Sequence, residues 1–202
     1  MVIHIGRDAQ LPRPSLILVA GAPATGKTTL ALHLSDTLHL PLLAKDALKE
    51  ILAEDFPVQS VEQSQALGRS TFRLLYALVS QLLAADVSLV VEANFFHGMA
   101  ETDLRPLLEN ARAVLIHCAT TREVSLDRYM RRFERGERHP SHLDGERITQ
   151  IQDGDDKTLE SWKLAEPPLE LDIPKLLVDT TNGYTPDFGA IVAFINSAVS
   201  ED

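Results

Sequence analysis

The sequence has little cysteine and no long apolar run, and both shortages exclude classes of protein. Cys118 is the only cysteine in 202 residues, so an internal disulfide is impossible and a zinc site built from cysteines is excluded. Its apolar neighbourhood, 113–118, favours a buried structural thiol over a nucleophile. No segment is long and apolar enough to span a bilayer, and residues 1–14 lack an apolar run behind a basic start. We therefore expect a cytoplasmic protein.

The sequence also lacks an excess of positive charge. The net charge is −10, which disfavours a broad nucleic-acid-binding surface and leaves a local basic patch open. Hydrophobic residues at 45% and charged residues at 24% are typical of a soluble globular chain. Because no internal repeat, low-complexity stretch or long linker divides the chain, we predict one domain over residues 1–202.

Apolar spacing predicts strands that alternate with helices. The predicted strands are 15–20, 41–44, 87–91, 113–118 and 175–178, and the predicted helices are 28–38, one starting near 46, 61–85, 97–111, 122–137, 158–165 and 186–199. This alternation indicates an α/β fold with a parallel sheet of about five strands, covered by helices on both faces. The polar, turn-rich stretch 139–156 is interpreted as a mobile loop at the edge of the same domain.

A glycine-rich motif lies between the first predicted strand and the first predicted helix. It matches G-x-x-x-x-G-K-[ST] and consists of Gly21, Ala22, Pro23, Ala24, Thr25, Gly26, Lys27 and Thr28. Glycines there let backbone N–H groups turn towards phosphates, and the next helix adds its positive N-terminus. We expect Lys27 to reach the β- and γ-phosphates, Thr28 to bind Mg²⁺, and Thr29 to lie near the α-phosphate.

Two carboxylates follow predicted strands that lie near this motif. Asp46 follows the second strand, where it is either a helix N-cap or a general base facing the ligand crevice, and both roles can coexist. Glu92 ends the third strand, where nucleoside triphosphatases hold Mg²⁺ or its water through a carboxylate. The alternative for Glu92 is an acid making local hydrogen bonds, and Asn94 is a weaker candidate for the same site.

Arginines are concentrated in one predicted helix of this acidic chain. Arginine forks bind phosphate and stabilise a phosphoryl group in transfer, so the helix is predicted to be a lid over ATP. The alternative is a solvated face whose arginines pair with Glu134 and Glu137. His139 and His142 alone are weak support for a metal site. The arginines recur at three- and four-residue steps, at Arg128, Arg131, Arg132, Arg135 and Arg138.

The order of these motifs, 21–28, 45–46, 92–95 and 128–142, resembles the small P-loop kinases grouped with zeta-toxin, chloramphenicol phosphotransferase and polynucleotide kinase. The resemblance implies a three-layer P-loop nucleoside triphosphate hydrolase fold with strand order 2-3-1-4-5 and an arginine-rich lid over about 122–156. It implies that Asp46 is the base and that lid arginines, for which we name Arg128, Arg132 and Arg135, contact ATP. It also places Thr181 and Asn182, in the loop 180–182, near adenine. Relatives often have Asp at the position of Glu92, which leaves direct and water-mediated contact with Mg²⁺ both open.

These features predict an enzyme that uses ATP and Mg²⁺ to phosphorylate a hydroxyl of a small molecule, with Asp46 as the base. One alternative is a kinase of nucleic-acid 5′ ends, which the basic lid supports and the net charge opposes. The other is a nucleotide-dependent switch or regulatory ATPase. A GTPase is disfavoured because the strand ending at Glu92 lacks Asp-x-x-Gly and no Asn-Lys-x-Asp motif is present. The acceptor and the oligomeric state stay open.

Overall fold

The structure, a computed structural model, describes residues 13–155 and 157–200. The expectation about residues 1–14 therefore falls almost wholly outside the described residues, as does position 156 at the end of the predicted lid. The strands are β1 (Ser15–Ala20), β2 (Leu42–Ala44), β3 (Leu89–Glu92), β4 (Arg112–Ala119) and β5 (Lys175–Asp179). The α-helices are α1 (Lys27–Leu38), α2 (Lys45–Asp55), α3 (Val61–Ala84), α4 (Ala100–Leu108), α5 (Arg122–Glu134), α6 (Asp144–Gln152), α7 (Lys157–Lys163) and α8 (Phe188–Val199), with a 3₁₀ helix at Pro140–His142.

The five strands form one parallel sheet in the order β2-β3-β1-β4-β5. β1 lies at its centre and pairs with β3 in the register Val19↔Glu92 and with β4 in the register Ala20↔His117. The chain order reverses at β1, and open α/β sheets bind ligands at the carboxyl ends of the strands at such a point. The predicted three-layer P-loop fold and its strand order are confirmed.

Both faces of the sheet are covered, which explains why the central strands are apolar without alternation. Leu16 and Leu18 of β1 pack in a core with residues of α3 and α4, whereas Ile17 and Val19 pack in a second core with α1 and α8. All four side chains are at most 1% exposed. Cys118 is fully buried in the second core, as predicted, and burial raises the pKa of its thiol to about 12. Among the described helices, none is long and apolar enough to cross a membrane.

On the arginine-rich side, the predicted helix 122–137 is confirmed except for its end, and the predicted loop 139–156 is wrong. α5 ends at Glu134 instead of 137, because Gly136 adopts a left-handed φ of 64° just after it. The predicted loop 139–156 contains the 3₁₀ helix and α6, and Ser141, His142 and Asp144 within it are buried. Buried polar side chains hold this segment in place, and the spacing of apolar residues does not reveal them.

A substitution at Gly21, the first residue of the phosphate loop, tests how closely this loop packs against the sheet. Its φ is 143°, and an added Cβ would lie 2.3 Å from the Cys118 carbonyl oxygen. We expect Gly21→Ala to lower the free energy of unfolding by about 3–4 kcal/mol, from backbone strain plus the collision. Gly98→Ala is the control, because Gly98 has a φ of 77° and nothing within 4 Å of the added Cβ. Urea unfolding measures both, and equal losses in the two variants would contradict the close contact.

Candidate active site

The phosphate loop connects β1 to α1 in a conformation suited to an anion. Gly21, Ala24 and Gly26 have positive φ angles of 143°, 59° and 80°, a backbone conformation found in loops that bind anions. Gly26 is the N-cap of α1, and no side chain caps this helix. The first N–H groups of α1 are therefore available to a phosphate at the positive end of the helix dipole.

Lys27, Thr28 and Glu92 meet where β3 runs beside β1. Lys27 is 8% exposed, and its Nζ lies 3.4 Å from the Ala22 carbonyl and 3.8 Å from Glu92 Oε1. The Thr28 hydroxyl donates to Glu92 Oε2 at 3.2 Å. Burial raises the pKa of Glu92, and the ammonium of Lys27 opposes that rise only in part. The charged form of Glu92 thus needs a cation nearby.

The Thr28 and Glu92 oxygens fit the donor chemistry of Mg²⁺. A hydroxyl and a carboxylate are hard oxygen ligands, and Mg²⁺ in nucleotide sites takes its remaining ligands from phosphate oxygens and water. No group of three or more His, Cys, Asp or Glu side chains suited to a metal occurs within residues 13–155 and 157–200. With Thr28 and Glu92 as protein ligands, Mg²⁺ would complete its coordination with phosphate oxygens and water.

Asp46 is held by two cations and is not a helix cap. α2 begins at Lys45 and its N-cap is Ala44, so the N-cap interpretation is wrong. Asp46 Oδ1 accepts from Lys45 Nζ at 3.1 Å, and Oδ2 accepts from Arg138 Nη1 and Nη2 at 3.1 and 3.2 Å. Burial alone would raise the pKa of Asp46, but Lys45 and Arg138 outweigh it and hold that pKa well below its usual range. The carboxylate is ionised at neutral pH.

Arg138 is the site residue whose position the sequence did not predict. The sequence grouped it with four arginines at helical spacing, most of them on one face, yet it follows the end of α5 and lies in the connection to the 3₁₀ helix. Besides Asp46, its Nε contacts Asp144 Oδ2 at 3.4 Å, and Asp144 Oδ1 accepts from the Tyr129 hydroxyl at 2.8 Å. A chain of polar contacts therefore runs from α5 to α2.

A second buried polar cluster lies behind Asp46. Lys49 is 4% exposed and donates to Ser64 Oγ at 2.6 Å and to the Ser141 carbonyl at 3.2 Å. Burial, reinforced by neighbouring cations, lowers the pKa of Lys49 to about 8. His142 Nε2 lies 2.8 Å from Glu50 Oε1, and burial lowers the pKa of His142 to about 2. His142 is therefore occupied in holding the 3₁₀ helix on α2.

Two cavities lie on either side of Lys27, and both continue to Arg132. The α5 cavity has about 530 Å³ and runs between the N-terminus of α1, α5 and Thr181. The α3 cavity has about 630 Å³ and contains Asp46 and one face of α3. The residues shared by the two cavities are Ala24, Lys27, Thr28 and Arg132. Two ligands, one in each cavity, can therefore meet at Lys27.

The loop after β5 forms one wall of the α5 cavity. Arg128 Nη2 donates to the carbonyls of Thr180 and Thr181 at 2.7 and 3.0 Å, and the Thr180 hydroxyl donates to the Thr25 carbonyl at 2.6 Å. These bonds fix the loop against the phosphate loop. Thr181 lines the cavity, as does Arg128, while Asn182 is exposed and lies outside the lining.

The other three arginines of the series, Arg131, Arg132 and Arg135, differ in their contacts. Arg131 Nε donates to Asp127 at 2.9 Å, and Arg135 Nη1 lies 3.6 Å from Glu137, so these two exposed side chains have acidic neighbours. Arg132 is different, because its Nε is buried without a hydrogen-bond partner in the described part of the chain. A buried donor without a partner is costly. Arg132 also lines both cavities, so this donor lies at their junction.

Asp46→Asn distinguishes an ion-paired carboxylate from a helix cap, since asparagine caps as well as aspartate. We expect a loss of about 1–2 kcal/mol in the free energy of unfolding at pH 7, because Lys45 and Arg138 lose their counter-ion on a side chain that is 33% exposed. The lowered pKa means that this contribution is present above the ordinary aspartate pKa of about 4 and is lost below it.

The measurement is urea unfolding of both proteins between pH 7 and pH 3. The difference between wild type and Asp46→Asn should shrink as the pH falls below about 4. Asp36→Asn is the control, because Asp36 is an exposed residue of α1, and it should change stability by less than about 0.5 kcal/mol. A difference for Asp46→Asn that is as small as the control at pH 7 would contradict the ion-pair assignment.

Solved structures share this architecture. One from Chloroflexus aurantiacus J-10-fl, provisionally described as a kinase, is 32% identical over 93% of this chain and 100% of that chain, with a TM-score of 0.78. A sugar kinase from Janibacter sp. HTCC2649 is 18% identical over 95% and 100% of the chains, with a TM-score of 0.56. An APS kinase from Mycobacterium tuberculosis is 16% identical over 92% and 99%, with a TM-score of 0.58. The last two show the fold alone.

The sequence comparison gives the family. No curated protein matches the chain significantly. Residues 16–155 match a family described as AAA domain, and this range includes the phosphate loop, Asp46, Glu92 and the arginines of α5. Because the match covers more than half of the chain, the protein belongs to the AAA domain family.

Proposed function

We propose that the protein transfers the γ-phosphoryl group of ATP to a hydroxyl of a small molecule, with Asp46 accepting the hydroxyl proton. The observation that carries this proposal is that two cavities meet at Lys27, Thr28 and Arg132. A switch or ATPase needs only the nucleotide cavity. A second cavity that contains a carboxylate, next to the site of the γ-phosphate, fits a second substrate.

ATP would occupy the α5 cavity with its phosphates in the loop. Lys27 would contact the β- and γ-phosphates, and Thr29 would lie by the α-phosphate at the start of α1. Thr181 lines the cavity and, with Asn182, would lie towards adenine. Mg²⁺ held by Thr28, and by Glu92 directly or through water, would neutralise charge on the β- and γ-phosphates.

The arginines would complete the phosphate site. Arg132 has a buried Nε without a hydrogen-bond partner and lies between the cavities. It would therefore stabilise the charge that spreads over the γ-phosphoryl group during transfer. Arg128 and Arg135 line the α5 cavity and would contact the other phosphate oxygens. We infer that the segment from α5 to α6 acts as a lid within a single domain.

The chemical step follows from these positions. The acceptor oxygen attacks the γ-phosphorus, the bond to the β–γ bridging oxygen breaks, and ADP leaves with that oxygen. The hydroxyl proton passes to a carboxylate oxygen of Asp46. A carboxylate with a lowered pKa is a weak base, but in a loose transition state the proton leaves late, when the acceptor oxygen is already acidic. An incoming phosphate also competes for Arg138, which would bring the pKa of Asp46 back towards its usual range.

The most similar relative described above agrees with this proposal. The protein from Chloroflexus aurantiacus is provisionally described as a kinase and matches nearly the whole chain at 32% identity. The sugar kinase and the APS kinase, at lower identity, support the fold that presents such a site.

Lys27→Ala tests the nucleotide half of the proposal. Since no other ammonium of the loop faces the β- and γ-phosphates, we expect the affinity for a non-hydrolysable ATP analogue to fall by at least about tenfold in a folded protein. Isothermal titration calorimetry measures the affinity, and circular dichroism checks the fold. Lys175→Ala, on the exposed start of β5, is the matched control. Unchanged affinity and unchanged turnover in Lys27→Ala would refute the assignment of the phosphate site.

Asp46→Asn tests the catalytic half. The phosphate loop is unchanged in this variant, so ATP affinity should survive while phosphoryl transfer falls by about 10² to 10⁴. ADP release with a panel of hydroxyl-bearing metabolites is measured well below the unfolding temperature of the variant. Asp103→Asn is the control, because Asp103 is another carboxylate that lines the α3 cavity. Equal rates for wild type and Asp46→Asn would remove the proton-acceptor role.

A further inference from the structure

We infer that the acceptor molecule is an anion, and that Arg69 and Arg73 on α3 bind its phosphate or carboxylate group. This inference rests on the proposed function, because it assigns the α3 cavity to the acceptor. It adds the chemical class of the molecule and two residues that select it.

The charge of the α3 cavity is opposite to that of the whole chain. The chain has a net charge of −10, but eight lysines and arginines line this cavity against three aspartates. A cavity lined by one sign of charge concentrates ligands of the other sign. A neutral sugar or alcohol would leave the excess positive charge of the cavity uncompensated.

Most of these cations already have partners. Lys45 bonds to Asp46, Lys49 bonds to serine and carbonyl oxygens, and Arg138 bonds to two carboxylates. Arg147 donates its Nε to the His142 carbonyl at 3.1 Å. Lys27 and Arg132 lie at the junction with the α5 cavity, where the phosphates of ATP are expected.

Arg69 and Arg73 are the exceptions. Each is exposed and lines the α3 cavity, and neither makes a hydrogen bond or an ion pair to another described residue. They are four residues apart on α3, which places them on the same side of the helix about 6 Å apart along its axis. Two unpaired guanidinium groups at this spacing can bind one phosphate or carboxylate from two sides.

The same helix connects these arginines to Asp46. A Cβ on Gly68 would lie 3.7 Å from Lys45 Nζ, and the ring of Phe72 has its centroid 5.5 Å from that atom. The α3 face that lines the cavity therefore passes beside Lys45 and Asp46. It continues to Tyr76, about 12 Å further along the axis from Gly68.

Aromatic side chains also contribute to the wall of the α3 cavity. Phe72, Tyr76, Phe96 and Trp162 all line the α3 cavity. Rings of this kind bury the apolar body of a ligand while a few polar groups orient it. The acceptor that fits is a hydroxyl-bearing molecule with an apolar or aromatic body and an anionic group.

Trp162 allows binding to be measured without turnover. It is the only tryptophan of the chain, it is 6% exposed and it lines the α3 cavity, so its fluorescence reports a ligand there. The phosphate loop is first saturated with a non-hydrolysable ATP analogue and Mg²⁺, so that anions cannot bind at that loop. Phenyl phosphate, benzoate and neutral benzyl alcohol are then titrated, with calorimetry as the second measurement.

We expect phenyl phosphate and benzoate to bind at least about tenfold more tightly than benzyl alcohol, and each of Arg69→Gln and Arg73→Gln to remove about a tenfold preference. Arg122→Gln is the matched control, since Arg122 is exposed in α5 and lines neither cavity. This control variant should leave the preference for anions unchanged. All three variants should bind the ATP analogue with the wild-type affinity. Equal affinity of the two arginine variants and wild type for the anions would overturn the inference.

Turnover separates this inference from the proposed function. One outcome is that neutral acceptors are phosphorylated as efficiently as their carboxylate or phosphate counterparts, and that Arg69→Gln and Arg73→Gln do not change this. That outcome would overturn the anion site and leave the proposed phosphoryl transfer intact. Arginine-dependent binding of phenyl phosphate, without ADP release from any hydroxyl-bearing anion, would support the anion site and refute the proposed function. An increase confined to the acceptor KM of the two variants, with kcat and the KM for ATP unchanged, supports both.

Discussion

The ion pair between Arg138 and Asp46 joins two parts of the chain that are far apart in the sequence. Asp46 lies at the start of α2, at the edge of the sheet, and Arg138 lies 92 positions later, after α5. The contacts of Lys49 and Ser64 with the Ser141 carbonyl, at 3.2 and 2.7 Å, act at the same place. Together they hold the 3₁₀ helix against α2 and α3. Without them the α3 cavity would lack one wall.

The same contacts set the chemical state of the proposed base. Arg138 and Lys45 keep Asp46 ionised and oriented, with both carboxylate oxygens in hydrogen bonds. A base that is fixed in this way needs no reorientation when the acceptor arrives, and positioning is the larger part of catalysis in phosphoryl transfer. The cost is low basicity. In the proposed reaction this weakness is offset because the proton leaves late, when the acceptor oxygen is already acidic.

The sequence predicted what depends on local pattern. The phosphate loop is a continuous motif, and the strands around it are apolar runs, so the strand-loop-helix unit followed directly from residues 15–38. The strand order came from the resemblance, because spacing alone does not order a sheet. The Asp46 cap was wrong, since an acid at a helix start is usually a cap, and here a tertiary contact with Arg138 overrides that preference.

The segment after α5 could not be predicted for a related reason. Its folded structure depends on buried polar groups, Ser141, His142 and Asp144, which satisfy partners far away in the chain. Neither the helical nor the strand spacing of apolar residues detects such contacts. The position of Arg138 follows from these contacts, because α5 ends at Glu134 and Arg138 lies in the connection beyond it. Its helical spacing from the other arginines did not reveal this position.

A protein with an acidic surface and a cationic cavity separates its ligands by size as well as by charge. The net charge of −10 repels a long polyanion from the surface as a whole, which opposes a nucleic-acid 5′ end as the acceptor. A small anion that enters the α3 cavity meets the opposite field. Cations packed this closely repel one another, and the pKa of Lys49, lowered to about 8, reflects burial together with that repulsion. An anionic ligand would reduce this repulsion, so the same closely packed cations would favour its binding.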